Sequence, residues 1–469
     1  MHLFTFAEIL KASGGEFVNV SEFNTPIDSI VSDSRARARN ALFLALPGEK
    51  FDGHDYLADA VENGAVLLCI EKNKLSKLPP GFPALLVEST LDTYQSLAHF
   101  HRKRMKNLKV IALTGSSGKT STKEILYAIF SHVFGVEHVV ATVGNTNNQI
   151  GVPQNLMRLT PEHKICILEM GTNHHGEIEP LARIAEPDLS LIVSIGSCHL
   201  EFFKTLDGVA TEKSHIFSFL TKEGTAVLPY DCPGNSILRG AAAKAGKTLT
   251  FGTTEKADMQ VLYRGGNING SSFELIDHRD GDRKITVEWP LSGRHQACNA
   301  SAAAAVARAF GIELEKIGEG IKKTQLPGMR MRITEHNGAT WLNDAYNANP
   351  DSMRASLDWL NEFADPKSLL LVLGDMGEIG KGALKEHIKI LIYAREKFPD
   401  ARIAAVGSFM SQAVAVMDLV SLRHIVAFLS SEDAMDKIRR MALPGDLVFL
   451  KASRRTRLEI VEPEEDVLS

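Results

Sequence analysis

The amino-acid sequence predicts an α/β protein in three units: a small N-terminal α/β unit, a central unit built on a mostly parallel sheet, and a smaller, doubly wound C-terminal unit. Three observations carry this. Apolar runs of strand length alternate with helical periods along most of the chain, the pattern of parallel sheets covered on both faces. A buried strand ends in a Gly-rich turn and restarts as a helix near Lys119. The 469 residues are enough for about three domains of ordinary size, each with its own core.

In the first unit, residues 1–105, short apolar segments such as Ala41 to Leu46 and Ala65 to Ile70 are separated by Gly, Pro and Asp turn residues. The basic stretch HRKRMKNLK, residues 101–109, reads as a solvated helix end or linker and marks a boundary. The second unit, residues 106–330, opens on the strand Val110 to Leu113 and continues through Ile165 to Leu168, Leu189 to Ile195 and the Ala-rich helical stretch 299–311. The third, residues 331–469, repeats the logic with Leu369 to Leu373, Ile403 to Val406 and Leu447 to Leu450, and reads as Rossmann-like.

Composition excludes several function classes. Hydrophobic residues at 44% and charged residues at 23% are ordinary globular values, which argues against disorder. A net charge of −5 with dispersed Lys and Arg leaves no basic footprint, so nucleic acid is not an expected partner. Cys69, Cys166, Cys198, Cys232 and Cys298 are widely spaced with no CxxC pair, and read as buried small hydrophobes in a reducing compartment. Glu8 interrupts the first apolar stretch, and nowhere do about 18 apolar residues run together, so the expectation is a soluble cytoplasmic protein without membrane insertion.

The sharpest local signal is KVIALTGSSGKTSTKEIL, residues 109–126. Gly115 and Gly118 let backbone N–H groups approach phosphate oxygens, and the helix N-terminus adds partial positive charge. Lys119 reaches the terminal phosphates, and the Thr120 hydroxyl can ligate Mg²⁺. The pattern is a tighter TGxxGK[ST] variant of the standard phosphate loop, because Leu113 stands where the longer form has Gly. ATP or GTP binding follows, as in P-loop ATPases, but kinase, ATPase, GTPase and ligase all remain open. Glu169 and His199 follow two strands of the same sheet and are expected at its carboxyl edge with Thr120, where a metal could be held.

These residues resemble the Mur ligases over nearly the whole chain. The resemblance rests on TGSSGKTS, TVGNTNNQIGVP (142–153), EMGTNHHGEI (169–178), and His199 followed fourteen residues later by Lys213. It continues through SGRHQACNASAAAA (292–305), LPGMRMR (326–332), DAYNANPDSM (344–353) and GDMGEIG (374–380). NNQIGVP, DAYNANPDSM and GDMGEIG are similar to the member that adds D-alanyl-D-alanine, and DSRARARNALFLALPGEKFDGHDY (33–56) resembles that member's UDP-sugar domain.

By matching position, the resemblance implies an ATP site of Thr114, Gly115, Ser116, Ser117, Gly118, Lys119, Thr120 and Ser121, joined by Asn299 towards adenine, Arg330 towards phosphate and Asp344 towards the ribose. It implies two Mg²⁺ ions on Thr120, Glu169, His199 and Lys213, the last carried as a carbamate whose anionic oxygens replace a repelling ammonium. Lys119, His199 and Lys213 become the catalytic set; Ser34, Arg35, Asn147, Asn148, Tyr346 and Asn347 become substrate contacts.

The implied partners are a UDP-N-acetylmuramoyl tripeptide and D-alanyl-D-alanine, joined at the expense of ATP through an acyl phosphate by a monomeric enzyme. Another Mur ligase or a folylpolyglutamate synthase-like ligase is the alternative within the class. A P-loop kinase or a non-catalytic nucleotide-binding module stands outside it. The chain departs from the family pattern at Gln296, where Asn is common, in KASRRTRLEIV (451–461), where a Gly-rich turn is common, and in GEIG for GELG.

Overall fold

The computed structural model describes residues 2–48, 50–417 and 424–464; Glu49, inside the 33–56 motif, lies outside them. The N-terminal sheet has five strands in the order Glu16–Val18, Ala84–Val87, Ala65–Glu71, Ala41–Leu44 and Ser29–Val31, all parallel except the first. The strand at 41 stops at Leu44, two residues short of expectation, because the Leu46 N–H turns back to the Leu44 carbonyl and Gly53 then bonds to Leu46.

The helix Thr90–Arg104 is capped by the Ser89 hydroxyl, which accepts from the Asp92 N–H. It belongs to two cores at once. Leu97 packs with Phe4, Leu42 and Leu67 of the N-terminal unit, while Ala98 packs with Val110 and Ile184 of the central one. Its basic end is therefore not a solvated linker. His101 Nε2 lies 2.9 Å from the Leu159 carbonyl, Arg102 Nε donates to Ala185 O at 3.2 Å, and Arg104 Nη1 donates to Leu3 O at 2.7 Å. Long basic side chains here satisfy carbonyls on both sides of the junction.

The central sheet has nine strands. Val139–Ala141, Ile165–Glu169, Lys109–Thr114, Leu189–Ile192, Thr225–Pro229, Lys247–Gly252 and Met259–Asn267 run parallel, and an antiparallel ribbon, Gly270–Asp277 and Arg283–Trp289, completes it. Its two faces are covered separately. Ile125 and Ile129 of the helix Lys119–Phe134 and the alanines of Arg294–Ala309 fill one core, and small Ala side chains permit that close helix approach. Register decides where the site falls: Glu169 is opposite Leu113, and Ile192 is opposite Thr114, so the phosphate loop and Glu169 leave the sheet at the same edge.

The strand expected to reach Ile195 ends at Ile192. Ser194 leaves the ladder because its carbonyl accepts from the Ser116 N–H, at 2.9 Å, inside the phosphate loop.

The C-terminal sheet has six strands in the order Arg332–His336, Ala339–Asn343, Leu447–Lys451, Leu369–Gly374, Arg402–Val406 and Ile425–Phe428, parallel except for the first pair. Apolar cores cover both faces, as a doubly wound unit requires. All five cysteines are free, but only Cys69, Cys166 and Cys198 are buried; Cys232, in the loop before the helix Asn235–Ala242, and Cys298, on the helix Arg294–Ala309, are half-buried, a correction to the expectation. Among the described residues, no helix is long and apolar enough to cross a membrane.

Candidate active site

The phosphate loop is held open by its own sequence. Gly118 has φ +79°, and a Cβ there would stand 2.4 Å from Asn299 Oδ1, so only glycine fits between the loop and the neighbouring helix. Ser194 clamps the loop twice: its hydroxyl accepts from the Ser117 N–H and donates to the Ser117 carbonyl, both at 2.9 Å. Ser116 Oγ donates to Gly196 O at 3.2 Å, and Ser121 and Thr114 are buried beneath the loop. Lys119 Nζ folds back to donate to Gly115 O at 2.7 Å, which places its charge in the loop mouth at a helix N-terminus.

Four predicted residues meet there. Thr120 Oγ1 donates to Glu169 Oε2 at 3.0 Å, Asn147 Nδ2 donates to Glu169 Oε1 at 2.8 Å, and Arg330 Nη2 donates to Thr120 Oγ1 at 3.1 Å. Glu169 is almost fully buried, and its backbone N–H bonds to Thr142 Oγ1 at 2.9 Å. Both its oxygens accept from neutral donors, and the nearest cationic group in this chain of contacts, Arg330, reaches it only through Thr120. The Arg330 guanidinium sits over the Tyr346 ring, 3.7 Å from its centroid, and Arg454 approaches the same ring at 5.6 Å.

His199 and Lys213 occupy different surroundings. His199 Nδ1 stands 2.6 Å from Glu378 Oε2, an ion-pair contact that departs from the in-line direction of an ideal hydrogen bond. The imidazole holds the Glu378 carboxyl below the usual carboxylate range, and the charges of Arg455 and Lys119 act in the same direction. Lys213, on the helix Leu206–Ser214, is completely buried, and its Nζ has no hydrogen-bond partner. Burial, followed by smaller effects that include the Lys119 charge, pushes its ammonium down to about 8. An unpartnered amine in that position is costly unless another group meets it. Among the described residues, no cluster of three or more His, Cys, Asp or Glu side chains forms a ready metal cage.

The remaining predicted residues separate into those near the loop and those elsewhere. Asn299 touches Gly118, and its Nδ2 donates to Gln296 Oε1 at 3.1 Å; the residue that departs from the family pattern thus orients Asn299. Asp344 is ion-paired with the buried Lys451, and burial pushes nearby His295 down to about 4. Asn148 Oδ1 caps the Ile150 and Gly151 N–H groups at 3.1 and 2.9 Å, and Asn347 Oδ1 accepts from Ala348 N at 2.9 Å, so the amide oxygen of each is committed to its own turn. Ser34 and Arg35 stand on the N-terminal unit, where Arg35 pairs with Asp33 at 2.8 Å and the Ser34 carbonyl accepts from Asn63.

Sequence reasoning missed several participants. Asn349 caps the helix Pro350–Leu360 and also donates to Ser117 Oγ at 3.1 Å; Asp351 Oδ2 accepts from the Ser197 N–H at 2.7 Å. The Asn-Pro-x-Ser order was a readable helix-start signal, but not its second use. Glu378, Arg354, Arg455 and Arg457 line a cleft of about 1360 Å³ between the central and C-terminal units.

Comparison with known proteins agrees with this arrangement. Three family profiles match in order: "Mur ligase family, catalytic domain" over residues 26–106, "Mur ligase middle domain" over 113–307, and "Mur ligase, glutamate ligase domain" over 329–454. A Haemophilus influenzae protein named UDP-N-acetylmuramoyl-tripeptide–D-alanyl-D-alanine ligase is 34% identical, spanning 97% of this chain and 96% of its own. A crystal structure of MurF from Acinetobacter baumannii superposes with a TM-score of 0.88 at 32% identity, covering 98% of this chain and 97% of that one. The MurF ligase of Thermotoga maritima in complex with ADP gives 0.78 at 26%, covering 92% and 96%. With its phosphate loop, its three large sheets and relatives matched along almost their entire length, the chain belongs to the Mur ligase family.

Proposed function

We propose that this chain is an ATP-dependent ligase that joins D-alanyl-D-alanine to a UDP-N-acetylmuramoyl tripeptide, giving the pentapeptide, ADP and phosphate. The observation that carries the reading is the chain of contacts Arg330–Thr120–Glu169–Asn147, drawn from four separate segments to the mouth of one phosphate loop. The similarity to the ADP-bound Thermotoga maritima ligase supports nucleotide binding at this loop.

A free carboxylate is a poor acyl donor, because its charge repels an amine and oxide is a bad leaving group. The tripeptide's terminal carboxylate attacks the γ-phosphorus of ATP; the P–O bond to ADP breaks, and an acyl phosphate forms. The dipeptide's amine attacks the acyl carbon and loses a proton, and phosphate leaves with the electron pair. Lys119 and Arg330 face the transferring group with positive charge, and the loop N–H groups hold it in line. Exclusion of water by closure of the cleft protects the acyl phosphate from hydrolysis.

The buried Glu169 carboxylate and the unpartnered Lys213 amine support a cation site, although no ready cage is formed among the described residues. Thr120 and Glu169 would hold one Mg²⁺, and Glu169, His199 and Lys213 would face a second. Lys213 becomes a ligand as a carbamate: its neutral amine attacks CO₂, loses a proton and becomes an anion. The unpartnered, charge-disfavouring pocket around Nζ supports that modification. When bound, Mg²⁺ supplies neutralisation of phosphate oxygens. Asn299 and Asp344 are assigned to the base and ribose, and Ser34, Arg35, Asn147, Asn148, Tyr346 and Asn347 to the peptide substrates. The units divide at 105/106 and 330/331, and the enzyme works as a cytoplasmic monomer.

The test is phosphate release with each substrate omitted in turn. Release requires the UDP-linked tripeptide and the dipeptide together. Equal turnover with free D-alanine or L-lysine in place of the dipeptide would sink the assignment.

A further inference from the structure

We propose that Glu378 is a positioning residue which, through His199, makes divalent-cation binding in the central unit depend on docking of the C-terminal unit. The proposal rests on the reading of His199 as a cation ligand. Glu378 belongs to the loop after the strand Leu369–Gly374, and His199 to the segment after Leu189–Ile192, so their 2.6 Å contact crosses the junction of two units.

Both residues are non-glycine and both lie in the left-handed region, at φ +50° for His199 and +61° for Glu378. Side chains avoid that region unless the surroundings impose it, and two such residues facing each other mark a constrained contact. The next turn reinforces it. Gly380 has φ +73°, and a Cβ there would meet the Glu201 backbone at 2.9 Å, so the two segments abut along residues 199–201 and 378–380.

The chemistry follows from the two nitrogens of imidazole. With Nδ1 standing 2.6 Å from the Glu378 carboxylate, Nε2 is the nitrogen left to offer a lone pair, and a carboxylate behind a histidine makes it a stronger donor. If the C-terminal unit swings away, His199 loses this support. By linkage, whatever factor docking adds to cation affinity, the cation adds to docking.

The experiment uses the full chain with a non-hydrolysable ATP analogue. Mn²⁺ affinity is read by electron paramagnetic resonance, and domain docking by small-angle X-ray scattering with and without Mn²⁺. For Glu378→Ala, Mn²⁺ binding weakens by roughly 10- to 100-fold and the cation-induced compaction is lost. Glu378→Gln, which is isosteric and keeps an oxygen acceptor, lies between Glu378→Ala and wild type. A merely structural role would lower the melting temperature and leave Mn²⁺ affinity in the folded protein unchanged, and that result overturns the proposal. His199→Ala separates the two levels. If it weakens Mn²⁺ binding while both Glu378 variants bind as wild type, the positioning role alone falls. If His199→Ala itself binds as wild type, the ligand reading falls and takes the proposal with it.

Discussion

Arg330 and Thr120, 210 residues apart in sequence, are joined by a 3.1 Å hydrogen bond that ties the segment leading into the strand Arg332–His336 to the mouth of the phosphate loop. Thr120 passes the contact on to Glu169. Arg330 is thus placed by two contacts at once: the Thr120 hydroxyl and the Tyr346 ring beneath it.

Arg330→Ala is expected to lower the rate constant for phosphate release by about 10²- to 10³-fold, the usual loss when a donor to developing charge is removed. Arg330→Lys recovers little, because lysine cannot sit over the Tyr346 ring and reach Thr120 together. Single-turnover kinetics at saturating ATP provide the check, and a lysine variant at wild-type rate would show that only the charge matters.

Lys213 separates two accounts sharply. As a carbamate it tolerates neither alanine nor arginine, since arginine keeps the positive charge and cannot take up CO₂. Both variants are expected to be nearly inactive, with short carboxylates partly restoring Lys213→Ala. Arginine in the position of Lys213 also buries a larger cation with no partner, so circular dichroism of the folded protein accompanies the assay. Wild-type turnover of Lys213→Arg at saturating Mg²⁺ would rule the role out.

Asn349 carries both a helix cap and a bond to the loop. Asn349→Ala removes the cap at a cost of about 1 kcal/mol, seen as a lower urea midpoint, and loosens Ser117. Asn349→Asp retains the cap acceptor but not the amide donor. Its stability stays near wild type while its KM for ATP rises; equal KM values would disconnect Asn349 from the loop.

His295 makes stability depend on pH. Its folded pKa is about 4, below the ordinary histidine value of 6.5, because burial disfavours the charged ring. Between those values the unfolded chain binds the extra proton, so unfolding is favoured as pH falls. The stability is whole above pH 6.5 and is lost progressively towards pH 4. His295→Gln is expected to flatten the difference in urea midpoint between pH 7 and pH 5, on the order of 2 pH units apart, relative to wild type. An unchanged slope would place the acid sensitivity elsewhere.

The strands and helices that build the site were legible because their signals are local. The phosphate loop was readable from glycines and Lys119 between an apolar strand and a helix, and Glu169 from its place at the end of the next strand. Boundaries were less so: the strand expected to reach Ile195 stops at Ile192 because Ser194 is taken up by Ser116 and Ser117, which no periodicity reports. The basic run at 101–109 does end a helix, with Lys103, Lys106 and Lys109 exposed, but composition could not show the carbonyls that take up His101, Arg102 and Arg104.

By itself, the sequence determined the α/β class, the order of strands and helices, and the phosphate loop, because hydrophobic period, turn chemistry and glycine are properties of neighbouring residues. Only the tertiary structure decided that Arg330 reaches Thr120, that Asn349 reaches Ser117, that Glu378 faces His199, and that Lys213 is sealed away without a partner. Those relationships depend on strand register and on how the central and C-terminal units pack, and a single residue's environment there is set by segments far away in the chain.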